Sequence, residues 1–220
     1  MSLKCCIFDF DGTLFDSMFI WDQAGELYLR GLGKTPLPST AEDLRTMSLR
    51  QAAQYFQTTY ALPFPVEEIM EGINRTVEAF YFHDALPKPS VTALLEQLRQ
   101  AGVAMGIATA TDRYQIEAAL RRCGLEHYFD AIFTCSEVGH GKERPEIYRM
   151  ALEHLGADRG SCVVFEDALH AVKTAKADGF PVVAVYDASE PRQDQLIALA
   201  DCYLADFSHP EDFWKFAAAL

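Results

Sequence analysis

The sequence predicts an α/β protein: a Rossmann-like, doubly wound parallel sheet interrupted early by an inserted all-α domain. Three observations carry that expectation. Short apolar runs alternate with helix-periodic segments from Leu86 onward, the pattern of parallel strands joined by right-handed crossovers and covered on both faces. An apolar run near the start, Cys5-Cys6-Ile7-Phe8, stops at Asp9-Phe10-Asp11-Gly12-Thr13-Leu14. Between Asp16 and His83 the periodicity is helical throughout. The expected division is an α/β core from residues 1–15 and 85–220 around a helical domain at 16–84.

The first element reads as a buried strand that delivers Asp9 and Asp11 to its C-terminal tip. Side chains two apart on a strand share a face, so the carboxylates should converge while Phe8 and Phe10 point the other way. Gly12 permits a tight turn that a residue with a Cβ would resist. Two carboxylates this close stay ionised at low cost only if a cation lies between them or one is protonated. A hard ion with oxygen ligands, such as Mg2+, fits that need.

In the insert, Phe19, Ile20, Trp21, Ala24, Leu27 and Tyr28 fall at helical spacing, and Gly31 and Gly33 end the run. Pro36 and Pro38 mark a loop, and Thr40 with Asp43 and Ser48 with Gln51 resemble capping boxes. Ala52, Ala53, Tyr55 and Phe56 form an apolar face; beyond Pro63 and Pro65, Ile69, Met70, Ile73, Val77, Phe80 and Tyr81 mark a long amphipathic helix. In the core the expected helices are 90–100, 114–123, 146–155, 168–177, 193–200 and 211–219, and the strands 103–108, 131–134, 162–165, 181–185 and 202–204.

Bulk properties bound the function. With 220 residues, half of them hydrophobic, the chain can bury one large core with an accessory domain. Its net charge of −13 disfavours nucleic acid or anionic membranes as partners, yet a metal and one or two cations can reverse the field locally for a phosphorylated ligand. No apolar run is long enough to span a bilayer, and the N-terminus lacks a signal-peptide layout. The six cysteines form no C-x-x-C pair and are read as reduced core residues, which implies a cytoplasmic protein without a disulfide framework.

Ligands of open α/β sheets bind beyond the carboxyl ends of the strands. There the sequence places Asp9 and Asp11, then Thr109-Ala110-Thr111, then Glu166-Asp167, with Lys142 in the loop before the helix entered through Pro145. Acids, a hydroxyl and a lysine suit Mg2+-assisted phosphoryl transfer, which mainly needs positioning and charge neutralisation.

The chain resembles the haloacid dehalogenase (HAD) superfamily, in its phosphatase and phosphomutase branch and close to the β-phosphoglucomutase-like group. The resemblance rests on Asp9-Phe10-Asp11-Gly12-Thr13-Leu14, Thr109, Lys142 and Glu166-Asp167 in order. It implies the HAD fold, with the helical insert as a small cap. It also implies Asp9 as the nucleophile that forms an aspartyl-phosphate, and Asp11 as general acid and then base, its backbone carbonyl also meeting Mg2+. Thr109 would bind a phosphoryl oxygen, with backbone N–H groups of the Thr109-Ala110 segment opening the next helix. Lys142 would neutralise charge on the phosphoryl group and Asp9. Asp167 would complete the metal ligands, with Glu166 a ligand or the holder of a metal-bound water. From the cap, Arg45, Ser48 and Arg50 are candidates to bind the leaving group, with Arg50 the expected substrate-binding residue.

Two departures matter. The lysine motif reads Gly141-Lys142-Glu143-Arg144-Pro145, without a proline directly after the lysine. Trp21 stands where the mutase group carries a histidine that couples the cap to acid–base chemistry. The expected activity is therefore hydrolysis of a small phosphorylated metabolite, such as a sugar phosphate, by a monomer. A phosphomutase is the first alternative. A phospho-acceptor receiver module is the second, although receivers are shorter and carry their aspartate on a later strand.

Overall fold

The computed structural model describes residues 3–44, 47 and 49–220, without the side chain of Glu42. The chain divides into two compact units, residues 17–84 and the remainder, 1–16 with 85–220.

In chain order the elements are β1 (Cys5–Phe8), α1 (Met18–Gly31), α2 (Thr40–Leu44), α3 (Leu49–Thr59), α4 (Val66–His83), α5 (Val91–Gln100) and β2 (Ala104–Thr109). Then come α6 (Arg113–Cys123), β3 (Ala131–Thr134), α7 (Cys135–Val138), α8 (Glu146–Leu155), β4 (Cys162–Glu166), α9 (Leu169–Ala177), β5 (Val182–Val185), α10 (Gln193–Leu199), β6 (Cys202–Leu204) and α11 (Glu211–Ala219).

The strands form one parallel sheet in the order β3-β2-β1-β4-β5-β6. The chain leaves β1 toward β2 on one side and returns to β4 on the other, so β1 lies at the topological switch point, where open α/β sheets bind ligands. Successive side chains alternate between faces. Cys5, Ile7, Cys162, Val164, Val182 and Ala184 pack with Ile147, Tyr148, Ala151, Leu169 and Val172 of α8 and α9. On the opposite face Phe8 stacks on Phe165 at 4.5 Å, and Phe165 packs on Phe213 of α11 at 5.2 Å. Both faces are therefore dry, which is why the strands read as continuous apolar runs.

In the helical unit, α1, α3 and α4 bury Tyr28, Leu29, Ala53, Phe56, Ile69, Ile73, Val77 and Tyr81. The capping box expected at Thr40 does not form. Thr40 already lies within α2, its hydroxyl bonds the Tyr60 hydroxyl, and the Asp43 carboxylate accepts from Tyr55 at 2.9 Å. Two tyrosines brought in by tertiary packing outcompete the local cap. The second expected box begins at Ser48, which lies outside the described residues. All six cysteines are free thiols. No described helix is long and apolar enough to cross a membrane.

Candidate active site

The tip of β1 is fixed by backbone bonds. The Asp9 N–H donates to Phe165 O at 2.9 Å, which ties the tip to β4. The chain then turns: Gly12 takes φ +76°, and the Leu14 and Phe15 N–H groups both return to Phe10 O at 2.9 Å. A left-handed φ is open to glycine and costly for other residues. Phe10 is buried and stacks on Phe15 at 4.2 Å.

This turn corrects the expectation that Asp9 and Asp11 converge as strand neighbours. β1 ends at Phe8, so the two-residue alternation no longer applies to them. The Asp11 carboxylate instead accepts a 2.6 Å hydrogen bond from the Thr111 hydroxyl, and the Thr111 N–H donates to Thr109 Oγ1 at 3.1 Å. The carboxylates that do converge are Asp9, Glu166 and Asp167, whose oxygens lie within 4.8 Å of one another; among the described residues this is the group able to hold a metal ion. The Asp11 carboxylate is not a member of it.

Lys142 bridges this cluster, its Nζ lying 2.6 Å from Asp9 Oδ1 and 2.6 Å from Glu166 Oε1. Asp9 Oδ1 also accepts from the Phe10 N–H at 2.6 Å. Glu166 Oε1 receives a further 2.7 Å bond from the Tyr148 hydroxyl, while Glu166 Oε2 is buried without a partner. Asp167 Oδ1 accepts from the Thr13 hydroxyl at 2.8 Å. The loop that carries Lys142 is closed by a hydrogen bond from Arg144 N–H to Gly141 O at 3.2 Å, and Pro145 then opens α8.

Electrostatics follow from crowding in a dry place. Burial and the neighbouring Asp9 charge push the Glu166 carboxyl up to about 7, against the pull of Lys142. Burial, with Asp9 and Glu166, raises Asp167 well above the usual carboxylate range. Burial works to lower Lys142, but the Asp9 and Glu166 charges overcome it and hold the ammonium above its ordinary value. Burial and Glu166 raise the Tyr148 hydroxyl, so it stays protonated and donates. The site thus gathers three carboxyl groups around one ammonium, two of them reluctant to ionise without a further cation, and leaves one carboxylate oxygen unpartnered, the donor set that a hard divalent cation needs.

Thr109 is buried at the end of β2, but α6 does not open there; its N-cap position is Asp112. Ala110 is exposed in the bend between them. Arg50, within the helical unit, is exposed and ion-paired with Glu67 at 3.0 Å. Arg45 and Ser48 lie outside the described residues. Trp21 donates its indole N–H to the Tyr81 hydroxyl at 2.7 Å. The sequence reading missed Tyr148, which the helical period presents as one more apolar contact, and the tie of Thr111 to Asp11.

The family model for haloacid dehalogenase-like hydrolases matches residues 3–201, and the chain belongs to that family of hydrolases. It is 26% identical over 177 residues to the phosphorylated carbohydrates phosphatase of Thermotoga maritima, covering 80% of this chain and 82% of the relative. It is 27% identical to hexitol phosphatase B of Escherichia coli, covering 94% of this chain and 93% of the relative. Its fold is that of CbbY from Rhodobacter sphaeroides, solved in complex with phosphate, with TM-score 0.81 at 23% identity, covering 95% of this chain and 96% of that one.

Proposed function

We propose that the chain is a Mg2+-dependent phosphomonoester hydrolase acting on a small phosphorylated metabolite through an aspartyl-phosphate on Asp9, with residues 17–84 as its cap. The observation that carries this is Lys142: one buried ammonium joins Asp9 to Glu166 at 2.6 Å each. That is a cation where an anionic nucleophile must meet a phosphate dianion. The phosphatase names of the relatives support hydrolysis over phosphomutation.

In this reading the Asp9 carboxylate attacks phosphorus while the ester oxygen leaves with a proton from Asp11. Water then gives its proton back to Asp11 and attacks the aspartyl-phosphate, releasing inorganic phosphate and restoring Asp9. Two donors on Oδ1 hold Asp9 in one orientation. Thr109 Oγ1 accepts from the Thr111 N–H, which leaves its own proton for a phosphoryl oxygen. Mg2+, when bound, would neutralise phosphoryl charge. Asp9 and Asp167 would hold it, with the Asp11 backbone carbonyl by family resemblance and Glu166 directly or through water. The test is a panel of phosphorylated metabolites with and without Mg2+, beside Asp9→Asn. Mg2+-dependent phosphate release, absent in the variant, is expected; none from any substrate would refute the proposal.

A further inference from the structure

We propose that Tyr148 is a positioning residue for the cation: with Lys142 it holds one oxygen of Glu166 and thereby leaves the other for the metal or its bound water. The inference rests on the metal reading above. A glutamate carboxylate has two equivalent oxygens, and its terminal torsion is broad. Nothing intrinsic decides which oxygen faces which neighbour. Lys142 cannot decide it alone, because an ammonium is a compact charge on a flexible stem and can follow either oxygen.

Tyr148 can. Its ring is fully buried in the core, near Phe180 at a centroid distance of 6.2 Å. A ring held that way fixes the position of its hydroxyl oxygen, so the hydroxyl can reach only the carboxylate oxygen placed beside it. That hydroxyl meets Glu166 Oε1 at 2.7 Å, the same oxygen that Lys142 holds at 2.6 Å. The consequence is asymmetric. Oε1 has two donors, and Oε2 is buried with none. An unpartnered buried carboxylate oxygen is costly, and it lies on one of the three residues whose oxygens converge within 4.8 Å. Partners that orient metal-binding carboxylates typically contribute about 10- to 100-fold to affinity.

The test measures Mn2+ binding by electron paramagnetic resonance without substrate, with Mg2+ in competition. Tyr148→Phe keeps the ring and removes only the hydroxyl. The expected result is a cation Kd raised about tenfold or more, with no such change in Tyr128→Phe, which removes a tyrosine bond to Glu96 elsewhere in the core unit. In a Glu166→Gln background, Tyr148→Phe should add less than about twofold, because it acts through Glu166. Wild type that binds while Tyr148→Phe binds equally would overturn the inference and leave the metal reading intact. An equal loss in both backgrounds would also overturn it, by placing the effect elsewhere. Wild type that binds no cation would bring down the metal reading and this inference together.

Discussion

Without metal, the stability of the protein should fall as pH rises, because Glu166 and Asp167 both hold their protons more tightly in the folded chain than in the unfolded one. The Glu166 carboxyl titrates at about 7 in the folded chain against an ordinary 4.5. Between those values the native state holds a proton that the unfolded chain has released. Stability therefore declines with rising pH across that window and levels off above it. At about 1.4 kcal/mol per pH unit the loss is about 3 kcal/mol, and Asp167, raised for the same reason, acts in the same direction. For a chain of 220 residues that corresponds to a melting temperature lower by roughly 6–12 °C. Mg2+ at a hundred times its Kd would return about 2.7 kcal/mol, so the decline should largely disappear in saturating magnesium. Thermal unfolding followed by circular dichroism from about pH 5 to about pH 8 tests this, with and without Mg2+, on wild type and Glu166→Gln. The glutamine variant should lose the Glu166 share, about 3 kcal/mol, and keep the part that belongs to Asp167. Parallel declines in the two proteins, or a wild-type decline indifferent to magnesium, would refute the reasoning.

Other outcomes follow from the same geometry. Asp9→Asn should cut phosphate release by at least about 10³-fold while keeping the fold, as read by circular dichroism beside single-turnover kinetics. Lys142→Ala leaves Asp9 and the buried Glu166 without their cation and should cost about 3–5 kcal/mol in denaturant titration, with kcat/KM lower by about 10²–10³. Thr111→Val frees Asp11 from its hydroxyl donor; turnover of alkyl phosphates, which need a proton on the leaving oxygen, should fall by more than turnover of p-nitrophenyl phosphate, which does not. Arg50→Ala removes an exposed ion pair and should leave the melting temperature unchanged, while a raised KM would reveal contact with substrate.

The sequence made the sheet legible because its central strands are buried on both faces, so they read as short, mainly apolar runs. Boundaries moved by a residue or so: β2 runs to Thr109 and β4 to Glu166. The helix α7 was invisible to periodicity because it is four residues long, yet its capping box was there to read in Thr134 and Glu137, which bond reciprocally. The direction of Asp11 was not legible. It depends on a threonine 100 residues away, and the local strand rule fails once the chain turns after Phe8. Tyr148 stayed hidden for a related reason. Ile147, Tyr148, Ala151 and Leu152 share one buried helix face, and a hydrophobic period says that a side chain is inside without saying what its hydroxyl meets.

The spacing of the acids is imposed on them rather than chosen by them. When ionised, Asp9, Glu166 and Asp167 repel one another, as the raised carboxyls of Glu166 and Asp167 register, so no attraction among their side chains draws them together. Their separation is set beneath the site, where Phe8 pairs in register with Phe165 and the Asp9 N–H closes on Phe165 O. Every residue of β1 and β4 is buried, and the stacked rings of Phe8, Phe165 and Phe213 stiffen that pair from one face. Close-packed interiors resist small displacements, so the sheet can hold carboxylates closer than they would settle on a loop. Lys142 relieves part of the repulsion from above. A large-to-small change under the site, such as Phe165→Ala, should therefore act twice. It should destabilise the core by about 3–5 kcal/mol, and it should weaken cation binding without touching a ligand, because the acids would relax apart. Mn2+ affinity measured on the folded fraction of that variant decides the point: an unchanged Kd would mean that the side chains, not the sheet, set their own spacing.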